Sequence, residues 1–332
     1  MTEKWHRQGF AQDASRLADK AFLKQLKTYA FGDVAMGTVV IWAQITAGWA
    51  LALLGNVWLS LGAFVLFISA QQHLASWVHE SSHLNLFRSR KLNDLWCNFF
   101  FGAPIGMDLA IYRANHLTHH AYLSSDEDRD RHVHAVDLTG INLWKELAKS
   151  LVCYYGFKVA VGKYLCGALG SRAQRVDAPS SKAAELNWLF LAMAAFWNLF
   201  FLILCVGAGR WYLYFALWIY PLFSVAQFIN ILRTSAEHQP VGYPSVELDD
   251  PAIVRTTLPN PLERWLMYGV NFNYHVEHHL WPQVPFFNLP KLHAHLVKSG
   301  FYKRHPDLLQ RSGIARVWEI SRHARATANL GR

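Results

Sequence analysis

Residues 34–83 read VAMGTVVIWAQITAGWALALLGNVWLSLGAFVLFISAQQHLASWVHESSH and contain the two features on which the fold depends. Two apolar runs, about 34–54 and 57–78, are separated only by Gly55-Asn56, and each is near the roughly 20 residues that a membrane-spanning helix needs. The second run leads directly into His79 and His83, whose spacing places both imidazoles on one face of a helix. We therefore predict two spans joined by a short turn, with histidines where the second span ends.

A second pair of apolar runs follows at about 188–206 and 211–231, separated by the turn Gly207-Ala-Gly-Arg210. Hydrophobic residues make up 52% of the chain and charged residues only 17%, whereas soluble domains carry about 25% charge. Trp58, Trp77 and Trp188 lie near predicted span ends, where interfacial aromatic residues are expected. The sequence thus predicts an all-α polytopic membrane protein with four transmembrane helices in two hairpins.

The basic residues are distributed as in a multi-pass membrane protein. No Lys or Arg occurs from Phe31 to His79, and Arg210 is the only one from 188 to 232. All others lie in 1–30, 80–187 and 233–332, which the positive-inside rule assigns to the cytoplasm. This pattern does not fit a basic stripe for nucleic acid. We expect both termini to be cytoplasmic, together with a helical cap that carries every histidine cluster.

Residues 1–332 are predicted to form a single domain, because no low-complexity linker divides the chain. The N-terminal tail, 1–30, is amphipathic and is expected to lie on the membrane. Leu95–Ile111 is apolar but interrupted by glycine and proline, so we predict an interfacial or re-entrant segment and no additional span. The four cysteines (Cys97, Cys153, Cys166, Cys205) have no C-x-x-C spacing, which argues against disulfides or a thiolate metal site.

Three histidine clusters carry the chemistry: His79-Glu-Ser-Ser-His83, His116-Leu-Thr-His119-His120 and His275-Val-Glu-His278-His279. Their residues lie three and four apart, so each cluster presents its imidazoles on one helix face. A four-coordinate zinc ion does not need eight imidazoles. The clusters therefore indicate more than one metal ion, and imidazole ligands without thiolate suit iron, copper, nickel or zinc.

The first cluster also matches the zinc metalloprotease motif H-E-x-x-H, with Glu80 as general base. A zinc protease is thus a distant alternative, but it needs only one further ligand and leaves the other two clusters unexplained. Glu80-x-x-His83 is also the pattern of soluble di-iron carboxylate bundles. Those bundles require a second Glu-x-x-His and two more helical glutamates, and the other Glu-x-x-His of this sequence, Glu3-Lys-Trp-His6, lies in the N-terminal tail.

The order H-x-x-x-H, H-x-x-H-H, H-x-x-H-H on a four-span chain resembles the membrane fatty acid desaturase superfamily, which also includes hydroxylases and other non-haem di-iron oxidases. The resemblance covers about residues 31–290 and extends to the flanking Asn93-Asp94, Arg113-x-x-His116 and the His-His-Leu-Trp-Pro282 sequence. The three-residue gap in the first box is more similar to acyl-lipid desaturases than to acyl-CoA desaturases.

This resemblance implies an oxidoreductase that binds two iron ions and uses O2 as co-substrate with two electrons. It implies a desaturase that introduces a double bond into an acyl chain of a lipid; the alternatives are a hydroxylase, or a desaturase of a small specialised metabolite. The electrons would come from a separate ferredoxin- or cytochrome-type donor. The implied metal ligands are the eight box histidines and His238: His79, His83, His116, His119, His120, His238, His275, His278 and His279.

His238 is inferred from Thr234-Ser-Ala-Glu-His238, because acyl-CoA desaturases place a metal-binding histidine after a similar segment. Those enzymes have an asparagine four residues earlier, where this chain has Thr234. Thr234, Glu237, Glu277 and Asp108 are candidates to orient ligand imidazoles. Asp126–His134 reads as a solvated loop, and His293, His295 and His305 read as surface residues. His73 either lines a substrate tunnel or makes a helix-packing hydrogen bond. Trp42, Trp49, Trp197 and Trp218 either shape that tunnel or face lipid.

Overall fold

The computed structural model describes residues 9–123, 127–130, 136–160, 187–239 and 254–330. The chain is mostly helical. The α-helices are α1 Gly9–Leu17, α2 Lys20–Leu26, α3 Phe31–Leu53, α4 Val57–Ser82, α5 Arg90–Cys97, α6 Leu109–Tyr122, α7 Asn142–Leu151, α8 Tyr154–Ala160, α9 Trp188–Gly207, α10 Tyr220–Phe223, α11 Val225–His238, α12 Pro261–Met267, α13 His275–Leu280, α14 Leu289–Lys298, α15 Phe301–Arg304 and α16 Gly313–Leu330. Short 3-10 turns cover Ala103–Ile105, Gly269–Asn271, Phe286–Asn288 and Pro306–Leu308, and π-helical turns cover Asn98–Gly102 and Tyr214–Ile219.

Within the described residues, four helical segments are long and apolar enough to span a membrane: α3, α4, α9 and Tyr214–His238. They correspond to the four predicted runs, and the protein is an integral membrane protein. Two of them differ from the prediction at their ends. α4 continues to Ser82 and the fourth span continues to His238. Polar residues at these ends are buried against other helices, so the loss of hydropathy does not end the helix.

Aromatic rings fill the interior between the spans. α3 packs closely on α4, where Gly48 leaves room for the Phe67 ring. Trp218 is fully buried, with its ring centroid 5.4 Å from that of Phe67 and 4.9 Å from that of Phe201. Trp49 lies 4.7 Å from Phe67 and is also buried. These tryptophans pack between helices and do not face lipid.

The two short turns between the spans contact each other. Gly55 has a φ of +80°, which favours glycine, and a side chain there would collide with the guanidinium of Arg210. Arg210 Nη1 donates a hydrogen bond of 2.5 Å to the carbonyl oxygen of Leu53 at the end of α3. The single basic residue of the second apolar pair therefore links the ends of α3 and α9.

The fourth span is interrupted at Ser224, whose φ of −119° and ψ of −90° separate α10 from α11. The preceding Tyr214–Ile219 is π-helical, and Pro221 lies in the first turn of α10. Ser224 is buried and its hydroxyl donates to the carbonyl of Tyr220, so the side chain takes up a backbone acceptor near the break. The dihedral angles of Ser224 therefore divide this span into two helical halves.

The apolar segment 95–111 is not among the four candidate spans of the described residues. It forms the π-helical and 3-10 turns after α5, and Gly106 has a φ of +68°. Side chains from the spans bond to its backbone. Trp197 Nε1 donates to the carbonyl of Phe99 at 2.7 Å, and Trp218 Nε1 donates to that of Pro104 at 3.2 Å. Irregular backbone within a membrane protein requires such partners.

The remaining helices form the layer that holds the histidines. The apolar face of α1 is buried in one cluster with α13, α14 and α15, and Leu26 of α2 is buried against Leu289 and Leu292. The apolar side that we expected to lie on the membrane is therefore covered by protein. A short parallel pair, β1 (Thr256–Thr257) with β2 (Leu309–Gln310), ties the C-terminal region together beside α13.

Cys97, Cys153 and Cys205 are free thiols, as the spacing predicts. Cys166, His132, His134 and the side chain of His323 lie outside the described residues.

Candidate metal centre

Four elements bring the histidine clusters together. The end of α4 carries His79 and His83, α6 carries the second cluster, and the short α13 carries the third. His238 ends α11. All nine predicted ligands lie in sets of side chains that could hold a metal ion.

The first group contains His79, His83, His116, His120 and His278, which offer ring nitrogens within 4.8 Å of one another. His116 Nε2 lies 3.1 Å from His83 Nε2 and 3.0 Å from His120 Nε2. His278 Nε2 lies 3.2 Å from His120 Nε2. Two nitrogens that each lie about 2.1 Å from one ion are roughly 3.0–3.4 Å apart in octahedral or tetrahedral arrangements. These spacings fit a shared metal ion.

The second group is built around His238. His119, His238 and His279 form one set of possible ligands, and His275 joins His238 and Glu237 in another. His275 Nε2 lies 2.8 Å from His238 Nε2. The sequence reasoning left the division of the histidines between two ions open. The geometry places five of them in one set and the other four in two overlapping sets that share His238.

All of these histidines except the half-buried His83 are buried. Burial, together with the positive charge of Arg113, lowers the pKa of His83 to about 3. The pKa values of five other box histidines lie well below the usual 6.5, first because of burial and then because neighbouring imidazoles would repel a second charge: His116, His120, His275, His278 and His279. Metals bind the neutral imidazole, so this environment keeps the ligands ready for a cation.

His79 provides a test of whether the residues fit a metal. Its side chain is buried, and neither ring nitrogen has a hydrogen-bond partner among the described residues. Buried polar groups without a partner are rare and costly. A cation bound at one of these nitrogens would remove much of that cost, and the described cluster includes no cysteine, which matches the ligand preference of iron.

Asp128 is a candidate site residue that the sequence reasoning missed, because we read Asp126–His134 as a solvated loop. The Asp128 side chain is fully buried, and its Oδ2 lies 3.0 Å from Nδ1 of His119. Since a carboxylate oxygen can only accept, His119 donates from Nδ1 and keeps Nε2 for a metal. Asp130 Oδ2 lies 3.5 Å from Nδ1 of His116. Nothing in the local spacing distinguishes these aspartates from their exposed neighbours.

Glu277 anchors the third cluster without contacting a ligand ring. It is fully buried and accepts hydrogen bonds from His293 Nδ1 at 2.6 Å, Tyr302 at 2.5 Å and Thr256 at 2.5 Å. His293 is thus not a surface residue but a partner of the helix that carries the ligands. His295 is also half-buried, since Leu17 O and the Phe22 ring contact it.

The other three candidate orienting residues differ in position. Glu237 accepts from Arg233 at 2.8 Å, and its Oε2 lies 4.0 Å from His275 Nε2. Thr234 donates to the backbone carbonyl of Asn230 and lines the cavity described below. Asp108 caps the start of α6 by accepting from the next backbone amides and bonds to Asn187. The described bonds of Asp108 therefore go to α6 and Asn187, not to an imidazole.

Arg113 fixes the first and second clusters relative to each other. The buried guanidinium donates to the carbonyls of Ser81 and Ser82 at the end of α4, and makes two bonds to Asp94. Asn93 bonds to the Ser81 carbonyl as well. The flanking residues noted in the sequence are thus the ones that hold α4, α5 and α6 together.

Glu80 makes hydrogen bonds that hold two parts of the chain together. Its Oε1 accepts from Asn85 Nδ2 at 2.9 Å and from the backbone amide of Phe286 at 2.9 Å. This buried carboxylate joins the end of α4 to the chain beyond the third cluster. That position does not resemble the water-facing general base of a protease.

A cavity of about 340 Å³ reaches both histidine groups. Its lining includes His79 and His116 from the first group and His119, His238 and His275 from the second. His73 lies outside it and bonds to the Trp265 carbonyl at 3.0 Å, which is the helix-packing alternative. Trp42, Trp49, Trp197 and Trp218 do not line this cavity either.

Comparison with known proteins shows what this chain is similar to. Dihydrorhizobitoxine desaturase of Bradyrhizobium elkanii is 25% identical over 279 residues, covering 78% of this chain and 74% of that protein. Ceramide hydroxylase of Caulobacter vibrioides is 35% identical over 80 residues, covering 24% of this chain and 23% of that protein. The profile of the family described as fatty acid desaturase matches residues 47–311, most of the chain. The chain therefore belongs to the fatty acid desaturase family.

Proposed function

We propose that this protein is an O2-dependent di-iron oxidase, and that it acts as a desaturase. One observation carries the proposal: two adjacent groups of buried imidazoles meet a single cavity. His79, His83, His116, His120 and His278 would hold one iron ion. His119, His238, His275 and His279 would hold the other. Imidazole-rich ligation without thiolate suits iron, and family membership favours this metal.

When bound, two iron ions together with two electrons would activate O2 for the oxidation of an unactivated C–H bond. The chain's own residues hold the ligands and shape the cavity. Asp128 orients His119 through Nδ1, and Glu277 holds α13 through three hydrogen bonds. Glu237 and Arg233 form an ion pair at the cavity wall, so their opposite charges compensate each other there.

The substrate favoured by the family is an acyl chain of a lipid, reached from the membrane. Two other substrates or outcomes stay open. Hydroxylation is supported by the likeness to ceramide hydroxylase over about a quarter of the chain. Desaturation of a small specialised metabolite is supported by the longer match to dihydrorhizobitoxine desaturase. Alkene or alcohol formation depends on where the substrate carbon lies relative to the metals.

We further propose a single domain in which the four spans form two hairpins. The contact between Arg210 and the end of α3 supports this arrangement, because it puts both turns at one end of the bundle. The helical cap and both termini then lie in the cytoplasm, where the positive-inside rule puts the other basic residues. A separate ferredoxin- or cytochrome-type donor would dock there, attracted by those positive charges.

Metal analysis of the purified protein tests the proposal. We expect two irons per chain and O2 consumption that depends on them. His119→Ala and His278→Ala should each lose iron and activity. His305→Ala, whose ring bonds to Asp13 away from both groups, should keep them. One zinc per chain, or two irons without oxidation of any lipid or metabolite in an expressing host, would refute the function.

A further inference from the structure

The helices α7 and α8 leave a set of large apolar side chains exposed. Trp144 is 51% exposed and Phe157 is 67% exposed, although both residue types are usually well buried. Together with them, the exposed apolar residues of this segment form what we call the 141–157 face: Ile141, Leu151, Val152 and Tyr154. A group of exposed apolar side chains of this kind marks a contact with another protein or with a membrane.

The exposed side of α7 has an apolar part and a basic part. Trp144 and Leu151 are seven residues apart, so they lie on the same face of the helix. Lys145 and Lys149 are exposed and lie four residues apart beside this face. The opposite side of the helix is buried and contains Leu143, Glu146 and Ser150. An apolar face next to lysines is typical of a helix that lies in the interface of a membrane.

The 141–157 face continues the exposed surface of the fourth span. Tyr220 Oη donates a hydrogen bond of 3.2 Å to the carbonyl oxygen of Leu151. Gly156 packs so closely on Phe223 that a Cβ there would lie 2.5 Å from a ring carbon. Tyr220 and Phe223 are themselves exposed, and both belong to a segment long and apolar enough to span a membrane. α7 and α8 therefore lie beside residues whose surroundings are lipid.

Packing on the other side of the segment fixes which way the 141–157 face points. Leu143 is buried in one apolar cluster with Ile231 and Ala236 of the fourth span. Tyr155 packs against the same cluster. The segment cannot turn its exposed apolar residues inward without breaking these contacts, so those residues need a partner outside the fold.

We infer that α7 and α8 are inserted in the lipid bilayer beside the fourth span. Both helices are shorter than the roughly 20 residues that a span needs, so the segment enters the bilayer without crossing it. Acyl chains then contact the 141–157 face. Lys145 and Lys149 extend towards the lipid phosphates, while their alkyl stems cover apolar surface. A water-soluble partner fits this position poorly, because it would have to bind beside a membrane span.

The inference uses no metal ligand, so it does not depend on the proposed oxidation. Fluorescent labels at single cysteines test it in the full-length protein, reconstituted in nanodiscs of phosphatidylcholine and phosphatidylglycerol. Cys153 and Cys166 are first replaced by serine, whereas Cys97 and Cys205 are buried and are left in place. Val152→Cys then carries the label on the 141–157 face, at a position that is 69% exposed.

Two control positions define the two possible surroundings. Ile203→Cys places the label on an exposed position of the span α9, and Asp307→Cys places it on an exposed turn after α15. Iodide quenches labels that are in water, and lipids with brominated acyl chains quench labels that are in the bilayer. We expect the label at Val152 to behave like the label at Ile203. It should be quenched by brominated lipid and be several-fold less sensitive to iodide than the label at Asp307.

Two results overturn the inference. One is a label at Val152 that iodide quenches as strongly as the label at Asp307, which shows that the face lies in water. The other is a label that neither quencher reaches, which shows that protein covers the face. Ile141→Cys repeats the measurement at the other end of the face and decides the question if Val152→Cys does not fold.

Discussion

Replacing Asp128 with asparagine separates the role of its charge from that of its shape. Asp128 accepts hydrogen bonds from His119 Nδ1 at 3.0 Å and from the backbone amide of Asp130 at 2.9 Å. Asparagine has the same size but only one acceptor oxygen. In Asp128→Asn, one of these two donors must lose its partner or bond to a neutral oxygen. The imidazole of His119 is then less well oriented and less basic.

The size of the effect follows from these bonds. A hydrogen bond to a charged group contributes about 1.5–3 kcal/mol and a neutral one about 0.5–1.5 kcal/mol. The substitution should therefore weaken metal binding at the His119 group by about 1–2 kcal/mol, or roughly fivefold to thirtyfold. This overlaps the roughly 10–100-fold losses typical when the partner of a metal-bound histidine is removed.

Competition with a chelator of known affinity measures the change in metal binding. Asp137→Asn is the matched control. Asp137 Oδ1 accepts from the amide two residues later at 2.9 Å, as Asp128 does, but Asp137 is exposed and its described bonds involve no imidazole. We expect native affinity in the control. If Asp128→Asn and Asp137→Asn hold metal equally well while both stay folded, the assigned role of Asp128 is wrong.

Three further predictions concern the surroundings of the centre. Arg113→Lys loses most of the four hydrogen bonds that Arg113 makes, so it should lower the free energy of unfolding by about 2–4 kcal/mol and reduce metal content. The control is Arg90→Lys, at a side chain that is 72% exposed, and it should change neither quantity. Chemical denaturation and metal analysis measure the two effects. Gly102→Ala places a Cβ 2.3 Å from a backbone carbonyl oxygen and should destabilise by about 1–3 kcal/mol, whereas Gly62→Ala meets no atom within 4 Å; equal melting temperatures would contradict this. The pKa of His83 is about 3 in the folded protein and 6.5 in the unfolded chain, so the unfolded chain binds the proton first as the pH falls. The metal-free protein should therefore lose stability between pH 6.5 and pH 3. A melting temperature unchanged between pH 7 and 5 would count against the burial of these rings.

The spans and the ligands are the parts of this protein that its sequence predicts best. Apolar runs of spanning length have few alternatives, and histidines three and four apart must share a helix face. What the runs do not predict is their ends. α4 and the fourth span continue past the last apolar residue to carry His83 and His238 towards the centre, because tertiary contacts bury their polar ends.

The supporting residues are harder to predict because they act over long separations. His293 and Glu277 are 16 residues apart, and Gln71 and Trp218 are 147 apart. Asp128 lies in a charged run whose composition indicates solvent, yet its side chain is buried. A single sequence offers no signal that distinguishes such a residue from its neighbours. Only the folded chain brings each of them to its partner.

The break at Ser224 affects how this protein can adapt to different bilayers. A continuous helix would transmit any change of tilt along its whole length to His238. Here the non-helical dihedral angles of Ser224 lie between Tyr214–Phe223 and α11, so the first half can follow the hydrophobic thickness of a bilayer while the second keeps its place beside α4. Lengthening or shortening the apolar part of Tyr214–Phe223 would then match the chain to a thicker or thinner membrane without displacing the ligand at its other end.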